Sequence, residues 1–230
     1  MVSDLEIFGA AEMIAHSLAT AEMRVSPASE TELRVRPLSA LPDCSGETPV
    51  AEIDQIIANW VRCYLMRPHP KLGRPGAVCP FTSAAARLDA IRVGSSQADT
   101  QEAVDRTMRQ ALAAFEAIEC PKAQRHLRAV IVGFPNCAGE DGRAVLKNAR
   151  NRLRLASILG GKMFALFEPR SGDKGLLNPE FRPMQSPLPL LAIRMLVEND
   201  APFVARNLLL APIYLLKFPL TGPRKIWSAL

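Results

Sequence analysis

The sequence predicts an α+β fold: a single helix-rich domain around a small β-sheet, preceded by an N-terminal extension. Three observations predict it. Apolar residues recur at helical spacing over the longest stretches. Only two short runs, Leu127–Phe134 and Lys162–Phe167, read as strands. The length of 230 residues suits one core with a tail, and the 48% apolar share is that of a globular chain.

Residues 1–24 carry a helical apolar pattern of Leu5, Ile7, Phe8, Ala11, Met13, Ile14 and Leu18, which Ser3 or Asp4 could cap. The stretch from Ser26 to Thr48 is rich in Pro, Ser and Glu and reads as linker. The domain boundary is therefore set at 1–47 for extension and linker and 48–230 for the domain. A chain shortened to begin at residue 46 is expected to fold unchanged.

Val50–Met66 reads as an amphipathic helix with Ile53, Ile56, Ile57, Trp60, Val61 and Tyr64 on one side. The loop Arg67–Phe81 follows; its four prolines and two glycines forbid a regular ladder. Ser83–Val93 is expected as helix, and Thr100–Glu119 as a longer one with Thr100 as cap. Leu127–Phe134 is a β-branched strand stopped by Pro135, Asp141–Leu159 a helix, and Lys162–Phe167 the second strand. Glu168–Pro189 is a long loop with five prolines and two glycines, a length that suggests a functional loop or lid. Leu190–Glu198 is expected as a short helix, and Asp200 as the cap of another running toward Leu216.

Composition narrows the chemistry. Five cysteines with no Cys-x-x-Cys spacing argue against a disulfide framework or a zinc knuckle. Met1–Arg24 has early acids and no basic start, unlike a signal peptide, and Leu208–Leu216 is too short to span a bilayer. A cytoplasmic protein is the expectation. Residues 1–45 hold three basic and seven acidic residues, so the positive balance lies in the domain and suits anionic ligands. The stripe Lys147, Arg150 and Arg154 lacks interleaved aromatics, so nucleic acid is not expected. Phosphate-loop, dinucleotide, zincin and serine-elbow motifs are all missing, and Ser186 reads as a turn residue.

What remains is the loop Arg67–Phe81. In Cys79-Pro80 the proline stiffens the turn that presents the thiol, and Arg74 and Lys71 supply the positive surroundings that populate a thiolate. Such a turn can offer sulfur to haem iron. Equally, Cys79 could be a small buried hydrophobe at a helix start, and Cys120-Pro121 repeats the dipeptide. His69, between two prolines, stays open as metal ligand, general base or turn residue. Arg74, Arg170, Arg182 and Arg194 form a second group, three of them in or beside the long loop near Asn178. Their guanidinium groups could grip haem propionates or an amino-acid carboxylate, or be ordinary surface arginines.

The segments Gly73–Phe81, Gly161–Pro169, Asn178–Pro183 and Ser186–Asp200 resemble a bacterial family described as domain of unknown function 6875. The resemblance covers residues 50–218 and implies an actinobacterial secondary-metabolite setting, without an activity. A pattern-level similarity to the YqcI/YcgG-type proteins, some of which resemble haem-dependent N-hydroxylases, implies haem at Cys79.

Three functions follow as expectations. In the first, the protein is a haem-dependent, N-oxygenase-like enzyme acting on a small amino-containing metabolite. Cys79 ligates the iron, Arg74, Arg182, Arg194 and Asn178 hold propionates or substrate, and His69 with Arg74 serves catalysis. In the second it is a non-catalytic accessory or binding protein for a biosynthetic enzyme, or a homo-oligomer, docking through Leu208–Leu220. In the third Cys79 is a nucleophile and His69 its base.

Overall fold

The computed structural model describes residues 32–42, 53–157, 160–205 and 210–227. The helix expected over residues 1–24 lies outside them. A five-stranded sheet runs in the order β1-β2-β3-β5-β4. Its strands are β1 (Val35–Pro37), β2 (Ile91–Ser95), β3 (Ala129–Gly133), β4 (Lys162–Phe167) and β5 (Leu190–Met195). β2 and β3 are parallel; the other neighbours are antiparallel. The described helices are α1 (Ile53–Trp60), α2 (Thr82–Arg87), α3 (Gln101–Glu116), α4 (Glu140–Ser157), α5 (Ala201–Val204), α6 (Leu210–Lys217) and α7 (Gly222–Trp227). The fold is α+β, as the sequence predicts.

Three local expectations are corrected. Ser83–Val93 does not stay helical: α2 ends at Arg87, Asp89 takes a left-handed φ of +50°, and β2 begins at Ile91. A non-glycine residue at positive φ stops a helix, and the following Ile-Arg-Val pairs with β3. Leu190–Glu198 is not a helix either, because Leu190–Met195 forms β5 between β3 and β4. Its apolar run is buried on both faces, and such a run does not distinguish strand from helix by periodicity. Asp200 does precede α5, but its carboxylate makes no cap and turns back to Arg194 and the Val197 amide.

The expected linker also contributes structure. β1 pairs with β2, and Leu38 and Leu41 are buried in the core. Arg36 binds Asp54 of α1 at 3.0 Å. Arg62 donates to the carbonyls of Leu38 and Leu41 at 2.7 and 2.8 Å. The sheet thus reaches upstream of residue 48, to Val35. Prolines at 37 and 42 fit an edge strand and its exit, where a missing amide does no harm.

Side chains alternate across the sheet. Leu191 and Ile193 of β5 face the layer of α3 and α4, whose Val104, Met108, Phe115, Leu146 and Ala149 are fully buried. Leu190 and Ala192 face the other layer, made by α1 and the two proline-rich loops. A third cluster joins Met163 and Leu196 to Val204, Leu210 and Tyr214 of the C-terminal helices.

Candidate functional site

The site grows out of α1. After Trp60 the helix widens into a π-helical turn, Val61–Leu65, so that Trp60 and Tyr64 face the long loop with rings 6.2 Å apart. One-turn widenings of this kind recur at functional sites. Trp60 Nε1 donates to the Gln185 carbonyl at 3.1 Å, and Tyr64 Oη to the Arg182 carbonyl at 3.2 Å. Two aromatic polar tips thereby hold a loop more than a hundred residues away in sequence.

The first loop is closed by its own backbone. Val78 N donates to Arg67 O and Cys79 N to Leu65 O, both at 2.9 Å. Arg74 reaches the Val78 and Pro75 carbonyls at 3.1 Å each, so it staples its own loop. His69 caps the turn Pro70–Leu72: its Nδ1 accepts from Lys71 N at 3.1 Å. In the neutral imidazole the proton then sits on Nε2. Gly73, at φ +78°, meets the second loop so closely that a Cβ there would lie 3.0 Å from Leu177 Cβ.

The second loop is pinched at its neck, where Glu168 N bonds Met184 O and Ser186 N bonds Glu168 O at 3.1 and 3.3 Å. Arg143 of α4 holds the Glu168 carboxylate at 2.7 Å. Asn178 links the loops: its Nδ2 donates to Lys71 O at 2.9 Å, while its Oδ1 accepts from Glu180 N at 3.0 Å. Phe181 stacks on His69 with centroids 4.6 Å apart and a 31° tilt. Between the loops lies a cleft of about 200 Å³, lined by Tyr64, His69, Lys71, Glu180, Phe181, Arg182 and Gln185.

Arg182 is the cleft's most suggestive group. Its Nη1 donates to the carbonyls of Pro179 and Phe181, which fixes the guanidinium plane. Among the described residues, Nε and Nη2 carry no hydrogen bond and are not sealed from solvent. That edge is the one that grips a carboxylate in bidentate fashion.

Residues 54–228 match the family described as Domain of unknown function (DUF6875). The chain belongs to this family. The match starts inside α1, so β1 lies upstream of it. No curated protein and no solved structure matches the chain, and the likeness to YqcI/YcgG-type proteins is not shown.

In this DUF6875 chain the predicted site residues fall into two groups. His69, Asn178 and Arg182 meet at the cleft, with Arg74 behind them as a loop staple. Cys79 and Arg194 lie elsewhere, near each other on the same sheet face. Arg194 binds Asp200 through both guanidinium nitrogens at 2.7 and 2.5 Å. Burial lowers the Arg194 pKa, but the hydrogen bonds and charge of Asp200 outweigh it, and a Cys79 thiolate would add to them; the pKa ends above its ordinary value.

Neither cleft brings the residues expected for haem together. Cys79 lines neither this cleft nor the larger one at Phe81. Arg74 is bonded within its own loop, Arg194 is committed to Asp200, and Arg182 stands in the other group. No propionate clamp converges on Cys79. Nor do Cys79 and His69 share the cleft that a thiol–imidazole pair would need. Sequence reasoning missed Tyr64, Glu180 and Gln185, since nothing local marks a helix tyrosine or a loop glutamine as cleft-facing. Arg170 is not a lining residue.

Proposed function

We propose that the protein binds, and acts on, a small amino-acid-like metabolite in the cleft between the two proline-rich loops. The observation carrying this reading is Arg182, a lining residue of a cleft that Lys71 also lines. Its Nη1 is held by two carbonyls, while its Nε–Nη2 edge bonds none of the described residues. Arg182 Nε and Nη2 take the carboxylate, and Lys71 adds positive charge. Glu180 is the cleft's carboxylate and suits the ammonium of the same ligand. The rings of Phe181, His69 and Tyr64 form the apolar wall. His69, whose Nδ1 accepts from the Lys71 amide, is the imidazole of the same cleft. A volume of about 200 Å³ admits a molecule of amino-acid size.

Calorimetric titration of the free amino acids, each beside its decarboxylated amine, tests this. At least one amino acid binds saturably, and its amine binds at least about tenfold more weakly. Arg182→Lys lowers the affinity by a similar factor, while the protein still unfolds cooperatively with a small drop in melting temperature from the lost bonds to Pro179 and Phe181. Equal binding of acid and amine, or no saturable binding by any amino acid, would remove the reading.

Haem-dependent N-oxygenation is the second reading, and the nearness of Cys79 to the Arg194 charge favours it. Its measurement is optical. A Soret band after expression with haem supply, absent in Cys79→Ser and retained in Cys120→Ser, would reinstate it. A colourless protein leaves the amino-acid cleft as the site.

A further inference from the structure

A second, larger cleft of about 670 Å³ lies where β5 leaves the sheet and meets the C-terminal helices. Its walls are apolar: Phe81, Met195, Leu196, Val197 and Phe218. Its rim carries three lysines, Lys122, Lys217 and Lys225, and the His126 ring, against one carboxylate, Glu198. That carboxylate is already bound to Lys225 at 3.0 Å. The positive charge around the cleft therefore exceeds what its own residues neutralise.

Lys217 is held by a carbonyl and lies over the Phe218 ring, with no anion beside it among the described residues. The residue is exposed as a whole, but its ammonium folds over Gly161 and donates to the Gly161 carbonyl at 3.2 Å. No described carboxylate lies within ion-pair distance of it. Asp200, the buried acid of this corner, is held by Arg194. Gly161 makes the approach possible. It sits at φ +68°, and a Cβ there would come within 2.2 Å of Lys217 Nζ. Loss of water lowers the Lys217 pKa; Asp200 opposes this and Lys162 adds to it. A helix C-terminus favours a cation in water equally well, so the end of α6 does not explain why the ammonium turns inward.

We propose that this cleft binds a fatty carboxylate, its head on Lys217 and its apolar body along Phe81, Leu196, Val197 and Phe218. The volume lies in the range of ordinary ligand pockets, which are mostly apolar with a few placed polar groups. The Lys217 ammonium stands beside the Phe218 ring, and one ammonium at an apolar wall matches a monoanion with an apolar body. The site is separate from the Arg182 cleft and does not depend on it.

The test is titration of the full chain with decanoate and with 1-decanol. Decanoate binds saturably and decanol at least about tenfold more weakly, since only the carboxylate answers the ammonium. Lys217→Gln weakens decanoate about tenfold, Lys217→Arg retains it, and Lys174→Gln, in the other loop, leaves it unchanged. Decanol binding as tightly as decanoate, no saturable decanoate binding, or an unchanged affinity in Lys217→Gln each overturns the proposal. The comparison of acid with alcohol needs no variant, so it decides even if Lys217→Gln fails to fold.

Discussion

The two faces of the sheet are covered in opposite ways. On one face α3 and α4 bury a continuous apolar surface, with Val104, Met108, Ala111, Phe115, Leu146 and Ala149 wholly inaccessible. Amphipathic periodicity alone builds that layer. On the other face only α1 is a regular helix of any length. Two proline-rich loops complete the layer, joined by the Asn178–Lys71, Trp60–Gln185 and Tyr64–Arg182 bonds and the His69–Phe181 stack. A helix saturates its own backbone and offers little to a ligand. Loops held by side chains can leave a guanidinium edge and an imidazole at a cleft. The contrast is between a face that stabilises and a face that recognises.

The sharpest challenge to that division comes from the edge. Truncation to begin at residue 46 removes β1, the Arg36–Asp54 pair and the buried Leu38 and Leu41. Loss of the two leucines alone costs about 3–6 kcal/mol. Denaturant unfolding should show a large drop in midpoint or loss of cooperativity. Unchanged unfolding would return residues 33–42 to the role of linker.

On the helical face, Phe115→Ala empties a fully buried ring site beside the Arg128 guanidinium. The expected loss is about 3–5 kcal/mol. Amino-acid affinity of the protein that remains folded should not change. A coupled loss of affinity would show that the two faces do not act separately.

Asn178→Ala acts in the opposite sense. Two exposed bonds disappear, to Lys71 O and from Glu180 N, each worth about 1 kcal/mol in stability. Yet the loops lose their tie, so amino-acid affinity falls and trypsin cuts faster after Lys71. A variant with native affinity and native proteolysis would show that the stack and Trp60 hold the loops unaided.

The smallest effect concerns a thiol on the helical face. Burial, with the Asp99 charge, pushes the Cys137 thiol up to about 11. Its folded pKa is above the unfolded one. The stability this contributes is full below the ordinary value of 9.0 and falls as pH rises through about 11. Native protein at pH 8 should leave Cys137 unlabelled by iodoacetamide and label it only on unfolding. Ready labelling in the native state would show that the α3–α4 layer opens.

The sequence by itself determined the α+β class, the long helices, the Thr100 cap, whose Oγ1 accepts from the Ala103 amide, and strands β3 and β4. Each is written in local periodicity or a local stop signal, and these act over a few residues. It also pointed to the two proline-rich loops, because many prolines exclude regular pairing. Only the tertiary structure decided that Leu190–Met195 is a strand, since a doubly buried segment has no polar side to declare its period. Only it separated Cys79 and Arg194 from His69, Asn178 and Arg182. The partners that fix each side chain, Asp200 for Arg194 and two carbonyls for Arg182, follow from chain reversal and packing. Residue type names what a guanidinium can bind; which of its edges is left for a ligand depends on the atoms the fold has already brought against it.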